Sequence, residues 1–261
     1  MMNQLRACFE VEALKIIRSK MLWLTILAFI IAPLLLGFLM FIQKNPEFSR
    51  NAGLLGLKAN LAGAADWPAY FGMLAQIVSI GGVILFGFVA AWIFGREYTD
   101  RTVKDLLALP VSRTKVVFSK FIAISIWCAF LSIVVIAVGL AVGVAIGLPG
   151  WSSELARHSA IIIMGSAAMN MLLITPVAFI ACYGRGYMAP MGFVIGTIFL
   201  SQIIGAIGYG AYFPWSIPAF FSGAAGPENA ELRSVSYWIV IITGILGLNG
   251  TIAYWRLADQ R

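Results

Sequence analysis

Charged side chains are concentrated in one segment of this chain, residues 96–120, which reads REYTDRTVKDLLALPVSRTKVVFSK. The sequence has 18 Lys/Arg and 11 Asp/Glu residues, and this segment holds nine of these charged residues. Long uncharged stretches lie on both sides of it. Such a segment must sit in water. The chemistry it offers is the binding of a soluble partner through charged and hydrogen-bonding groups.

The spacing within this segment predicts two short helical pieces joined by a turn. Glu97 and Arg101 are four residues apart with the acid first, which is the favourable order for an ion pair on a helix. Asp100 and Lys104 repeat that spacing. Pro110 ends the first helix, and Ser112 can cap a second one that runs into the next apolar stretch.

No catalytic or metal-binding constellation is visible elsewhere. The sequence has one histidine, His158, three widely separated cysteines, and neither a G-x-x-x-x-G-K-[ST] phosphate loop nor an H-E-x-x-H motif. We therefore expect no catalytic residues, no metal site and no cofactor bound by this chain. Asn170 and Gln202 are large amides inside apolar stretches. They are either helix–helix hydrogen-bonding groups or part of a weakly polar substrate path.

Composition predicts an all-α membrane protein. The chain is 61% hydrophobic and 11% charged, against about 25% charge in soluble domains. A spanning helix needs about 20 apolar residues. Six segments qualify, and none contains Asp, Glu, Lys, Arg or His; they are residues 21–42, 70–94, 121–148, 160–183, 187–212 and 235–255.

The distribution of basic residues predicts the orientation. Thirteen Lys/Arg residues fall on the side that carries the N-terminus, the 96–120 segment and the C-terminus, and five fall on the other side. The larger number belongs in the cytoplasm, so both termini are expected there. Because the basic residues flank apolar spans, they indicate membrane topology, and no nucleic-acid partner is expected.

Residues 1–20 form a unit distinct from the six-span domain at 21–261. Met2, Leu5, Phe9, Ala13 and Ile16 fall on one face at helical spacing, which predicts an amphipathic helix in the membrane interface. It either anchors the first span or also contacts a partner. The apolar segment PWSIPAFF before the last span is broken by Pro214 and Pro218, which favours short helices that dip partly into the membrane.

The charged segment resembles the signature of ABC-2 type permeases, the membrane subunits of ABC transporters. That signature has an acid, Gly-Thr, a Leu-rich turn, Pro-x-x-Arg, and a Lys before the third span. Arg101 departs from it, since Gly is usual before the Thr, and the change is expected to make the segment more helical. Within the family, the pattern is nearest to bacitracin-type and lantibiotic-immunity permeases. The matching residues are Glu97, Thr102, Leu106, Leu107, Pro110, Val111, Ser112, Arg113 and Lys120.

The resemblance implies a transport mechanism. The chain would pair with a second permease, identical or homologous, in the bacterial inner membrane, and two cytoplasmic ATPase subunits would hold ATP and magnesium. The loop between spans 2 and 3 would act as a coupling helix on the ATPase. The implied coupling residues are Glu97, Arg101, Thr102, Asp105, Leu106, Leu107, Pro110 and Arg113.

The expected function is therefore export of an amphiphilic peptide, antibiotic, lipid or drug. Two alternatives stay open at this point. One is a non-transporting scaffold or an intramembrane enzyme, and the other is an ion-coupled secondary carrier. The absence of acids from the predicted spans counts against the carrier.

Overall fold

The fold is a bundle of long apolar helices. A computed structural model describes residues 2–45, 64–103, 106, 111–226 and 232–257. Within these residues, six helices are long and apolar enough to cross a membrane, and the predicted all-α fold class is confirmed. The helices are α1 (Met2–Ile17), α2 (Lys20–Lys44), α3 (Trp67–Gln76), a π-helical turn (Ile77–Gly81), α4 (Gly82–Thr99), α5 (Arg113–Ile146), α6 (Ser153–Tyr183), α7 (Met188–Ala206), a 3-10 turn (Gly210–Tyr212), α8 (Ile217–Phe221) and α9 (Ser234–Leu257).

The helix ends follow from local sequence. Asp66 and Ser152 accept hydrogen bonds from the backbone N–H groups of Ala69 and Leu155, which starts α3 and α6. Gly147 takes a left-handed conformation (φ 67°) and ends α5. Helix α7 ends at Ala206, six residues before the end predicted for that span, because Gly208 turns the chain with φ 84°.

Helix α6 lies at the centre of the bundle and packs against α4, α5, α7 and α9. Helices α1 and α2 pack on the other side of α5. The second span is continuous from Trp67 to Thr99, but its middle is the π-helical turn, which the sequence did not predict. The short helix α8 packs against this turn and against α6, so the irregular backbone of the turn is covered by protein.

The bundle has two distinct ends. The first, called the basic face below, carries α1, the ends of α4 and α9, the start of α5 and the turn at 184–187. Gly95 lies there against the carbonyl of Gly186, where an added Cβ would be 2.8 Å from the oxygen. At the opposite face, Lys44 Nζ donates to the carbonyls of Ile146 and Gly147 at 2.7 and 2.6 Å, which ties the end of α2 to the end of α5.

Glycines on α9 allow its close contact with α6. A Cβ at Gly247 would lie 2.3 Å from the backbone nitrogen of Pro176. One turn away, Thr175 Oγ1 donates to the carbonyl of Gly244 at 2.6 Å. Close backbone approach between small residues is a main source of helix association in lipid.

We expect Gly247→Ala to destabilise the protein by about 1–3 kcal/mol, because the new methyl group overpacks against the α6 backbone. Gly192→Ala is the matched control, since its Cβ would meet nothing within 4 Å. Thermal unfolding in mild detergent measures both variants. Equal melting temperatures would show that the close α6–α9 contact does not limit the stability of the protein.

Candidate functional site: the connection between the second and third spans

Four buried or partly buried charges meet at the basic face. Lys120 Nζ lies 2.8 Å from Glu97 Oε1 and 3.0 Å from Glu12 Oε1, and Lys15 Nζ lies 2.9 and 3.2 Å from the same two atoms. Lys120 is 0% exposed and Glu97 is 1% exposed. Two positive and two negative charges thus neutralise each other, three of them almost fully buried and the fourth, Lys15, with 28% of its side chain exposed. We call Glu12, Lys15, Glu97 and Lys120 the charge quartet.

The quartet joins three helices. Glu12 and Lys15 come from α1, Glu97 from the last turn of α4 and Lys120 from the second turn of α5. An unpaired charge in such a setting costs several kcal/mol, whereas a fully paired set is tolerated. The position of α1 relative to the second and third spans is therefore fixed by charge neutralisation as well as by apolar contact.

Helix α4 ends just beyond Glu97 in a Schellman motif. The N–H of Thr102 donates to the carbonyl of Glu97 at 3.0 Å, and the N–H of Arg101 donates to that of Tyr98 at 3.2 Å. Arg101 has φ 59°, the left-handed conformation that glycine adopts most easily. Thr102 Oγ1 also donates to Glu97 Oε2 at 2.5 Å, which ties the start of the connection to the quartet.

Two expectations about this segment are wrong. Arg101 does not extend the helix, because it occupies the left-handed position where the ABC-2 signature usually has glycine, and so the bend is kept. Glu97 does not pair with Arg101. Its carboxylate instead points into the bundle and binds Lys15 and Lys120, since burial makes strong pairing necessary.

The other side of the connection is tied to the last span. Helix α5 begins at Arg113 as predicted, although the Ser112 side chain makes no capping hydrogen bond. Arg113 Nη1 donates to the carbonyls of Trp255 at 3.1 Å and Arg256 at 3.3 Å. These carbonyls lie in the last turn of α9, where a cation is favoured by the helix dipole. The connection is thus fastened at both ends.

The remaining predicted coupling residues divide into two groups. Leu106 is partly buried, packs against the core and lines an apolar pocket of about 310 Å³ with Val111 and residues of α1. Asp105, Leu107 and Pro110 lie outside the described residues, as does Lys104. The structure therefore brings Glu97 and Thr102 together, and fixes Arg113 separately on α9.

The two amides proposed for a substrate path lie in different settings. Asn170 is 1% exposed, and its Nδ2 donates to the carbonyls of Val78 and Ser79 at 2.9 and 3.1 Å. It therefore holds the π-helical turn. Gln202 is exposed and lines a cavity of about 310 Å³ beside α8.

Glu12, Lys15 and Lys120 were not predicted as site residues. A signal for Glu12 was present in the sequence, because this carboxylate lies between Phe9 and Ile16 at helical spacing, at the edge of the apolar stripe of α1. A charge at such a position must find a partner. Sequence spacing does not indicate which helix supplies it.

The described groups of the connection form ion pairs and hydrogen bonds at helix ends. Burial and the neighbouring Glu12 carboxylate raise the pKa of the Cys8 thiol, which keeps it protonated at neutral pH. Among the described residues, no group of three or more His, Cys, Asp or Glu side chains could hold a metal ion. The site's chemistry is ion pairing and helix capping.

The six apolar helices of the described residues define a multi-pass membrane protein. A family model described as ABC-2 family transporter protein matches residues 8–201. The chain belongs to the ABC-2 family of transporter proteins. It is also similar to the bacitracin transport permease protein BCRB of Bacillus licheniformis, with 31% identity over 184 residues, which cover 70% of this chain and 88% of that protein.

We expect Lys120→Met to destabilise the protein by about 3–5 kcal/mol, because Glu12 and Glu97 then lose a buried partner. The double variant Glu97→Gln/Lys120→Met should recover much of that loss. Unfolding in detergent measures both. Lys115→Met is the control, since Lys115 Nζ donates to Gln4 Oε1 at the surface. A double variant no more stable than Lys120→Met would contradict the role of pairing.

We expect Arg101→Gly to stabilise the protein by about 1 kcal/mol, because glycine adopts a positive φ without steric cost. Arg101→Ala is the matched control, since it removes the guanidinium and keeps the Cβ. The midpoint of thermal unfolding should rise only for the glycine variant. An equal rise for both variants would show that the charge of Arg101, and not its backbone conformation, lowers the stability of this turn.

Proposed function

We propose that this chain is the permease subunit of a transporter driven by a separate ATPase, and that the connection between α4 and α5 receives the movement. The observation that carries the proposal is the double attachment of this connection. Its start is bound to the charge quartet through Thr102, and its end to α9 through Arg113. A force applied there reaches α1, α4, α5 and α9 together.

The roles of the proposed coupling residues differ accordingly. Glu97 is buried, so it positions the connection and does not touch a soluble partner. Arg101 is exposed at the sharp end of α4 and is available for contact with an ATPase. Asp105, Leu106, Leu107 and Pro110 complete the contact surface in this proposal. Thr102 and Arg113 transmit its movement to the bundle.

The assembly that follows has two ATPase subunits, which hold the ATP and magnesium, and a second permease of the same or a related sequence. The basic face would be cytoplasmic, with both termini inside, because it carries the larger number of Lys/Arg residues. The membrane would be the bacterial plasma membrane. The resemblance to a bacitracin transport permease supports an amphiphilic peptide, antibiotic, lipid or drug as the exported substrate.

An ion-coupled carrier is less well supported. The two buried carboxylates of the described residues, Glu12 and Glu97, are each within 3.2 Å of two lysine ammonium groups. Ion-coupled carriers use intramembrane acids that bind and release the driving ion. Carboxylates held by two lysines are poorly suited to such exchange.

The proposal predicts that Arg113→Glu and Leu107→Asp leave membrane insertion intact but abolish coupling. The chain is co-expressed in turn with the ABC ATPases encoded in its own genome. Co-purification and substrate-stimulated ATP hydrolysis in membrane vesicles are then measured. Bacitracin is the first substrate to test.

Arg233→Glu is the matched control, because Arg233 lies before α9, at the end opposite the basic face. This variant should retain full coupling. Melting temperatures separate a coupling defect from misfolding of the Arg113 variant. Full ATPase stimulation in both Arg113→Glu and Leu107→Asp would overturn the proposed role of the connection.

A further inference from the structure

A cavity of about 310 Å³ lies between α7, α8 and the π-helical turn of the second span. Its walls include Ile80 from the π-helical turn, Ser201, Gln202 and Gly205 from α7, and Ser216 and Phe220 from the α8 region. We propose that this cavity binds an uncharged group that both donates and accepts hydrogen bonds, in the first place a peptide-type amide carried by an amphiphile.

The cavity is lined by three polar side chains, and we assign the ligand chemistry to two of them, Gln202 on α7 and Ser216 before α8; the third is Ser201. The Gln202 amide has no hydrogen-bond partner among the described residues and is exposed on a helix whose other polar side chains are the hydroxyls of Thr197 and Ser201. An unpaired amide in hydrocarbon costs several kcal/mol, so a polar group is needed beside it. Ser216 is 2% exposed and lies at the buried floor of the cavity. Its single hydroxyl hydrogen is shared between the carbonyls of Gly210 and Phe213 at 2.5 and 2.8 Å, and the oxygen keeps lone pairs that can accept a hydrogen bond.

A trans amide suits this pair of side chains. Its carbonyl and its N–H point in opposite directions, so the carbonyl would accept from Gln202 and the N–H would donate to Ser216. No lining side chain is charged. A carboxylate or an ammonium group would therefore lose its hydration without gaining an opposite charge, which excludes charged groups from this cavity.

The size of the cavity limits what enters it. Small-molecule sites span roughly 300–1,000 Å³, so this cavity takes one polar segment of an amphiphile and not a whole peptide or lipid. Ile80 and Phe220 provide apolar surface for the carbon atoms next to the amide. The rest of the ligand would lie along the exposed apolar side chains of α7, such as Phe199 and Ile203.

Hydrogen bonds from neighbouring elements fix the π-helical turn that forms one wall of the cavity. Asn170 fixes the π-helical turn through the carbonyls of Val78 and Ser79, and Ser222 Oγ donates to Ser79 Oγ at 2.8 Å. Asn170 is thus a positioning residue for the wall and does not touch the ligand. Wide π-helical turns recur at functional sites because they redirect side chains within a helix. This wall belongs to the span whose other end carries Glu97, so ligand binding and the connection act on one element.

The test uses the full chain alone in lipid nanodiscs. The probe is a dodecanamide with an N-methyl group and a photoreactive diazirine in its acyl chain, and labelled peptides are located by mass spectrometry. We expect the probe to label α7 and α8. N-methyldodecanamide and dodecanol should suppress this labelling, because each carries an uncharged group that both donates and accepts hydrogen bonds. Stronger competition by N-methyldodecanamide identifies an amide as the preferred group, and stronger competition by dodecanol identifies a hydroxyl. Dodecanoate and dodecyltrimethylammonium should not compete.

Two variants make the assignment specific. Gln202→Leu should weaken binding about tenfold, which corresponds to the loss of about 1.4 kcal/mol. N,N-dimethyldodecanamide, which lacks the N–H, should compete about tenfold less well than the N-methyl compound, and Ser216→Ala should abolish that difference. Thr197→Val on α7 is the control, because its hydroxyl bonds within its own helix.

Three results would overturn the proposal: equal competition by the charged probes, unchanged binding in Gln202→Leu, or labelling away from α7 and α8. A disulfide between two copies through Gln202→Cys in a cysteine-free background would also overturn it, because a second chain would then cover the cavity. The identification of the bound group as part of a transported substrate rests on the proposed function. Since the binding assay contains no ATPase, failure of binding and failure of coupling are distinguishable.

Discussion

The requirement that buried charges be neutralised governs the basic face of this protein. Glu97 and Lys120 are removed from water at the ends of two spans, and neither could stay charged there alone. Each finds two opposite charges because α1 supplies one more acid and one more base. The quartet is therefore complete only when α1, α4 and α5 meet, which makes the N-terminal helix part of the bundle's structure.

This constraint supports the proposed role of the connection between α4 and α5. Its described ends leave α4 through a hydrogen-bonded Schellman motif and enter α5 beside the last turn of α9. Thr102 and Arg113 bind groups that are themselves fixed. In the proposed function, a movement of the connection would shift whole helices, because packed helices slide or rotate as units.

The second span connects the two sites described above. Its final turn carries Glu97, while its middle contains the π-helical turn held by Asn170. A π-helical turn breaks the regular hydrogen-bond ladder and is a place where a helix can change direction at low cost. The charged connection and the polar cavity therefore lie on one element with an interruption between them. Such an arrangement suits a subunit that must relate events at one membrane face to events deeper in the bilayer.

The sequence alone determined the fold class, because a span of about 20 apolar residues has no alternative to a helix in lipid. It also located the charged segment and the start of α5, since Pro110, Ser112 and Arg113 are local signals that need no tertiary context. The family signature added the likeness to ABC-2 permeases. Glycine is usual at the position of Arg101 in that signature, and the sequence prediction that the change makes the segment more helical was wrong, because Arg101 keeps the left-handed conformation.

Only the tertiary structure decided which charges pair. Glu97 has a suitable partner four residues away, yet it binds Lys120 and Lys15, which lie 23 and 82 residues distant. Local spacing describes an exposed helix, whereas burial makes a carboxylate bind the cations that share its desolvated site. The same reason separates Asn170 from Gln202. Both are amides in apolar helices, but packing against the π-helical turn satisfies the Nδ2 donor of the first, while the second faces a cavity that only the folded chain forms.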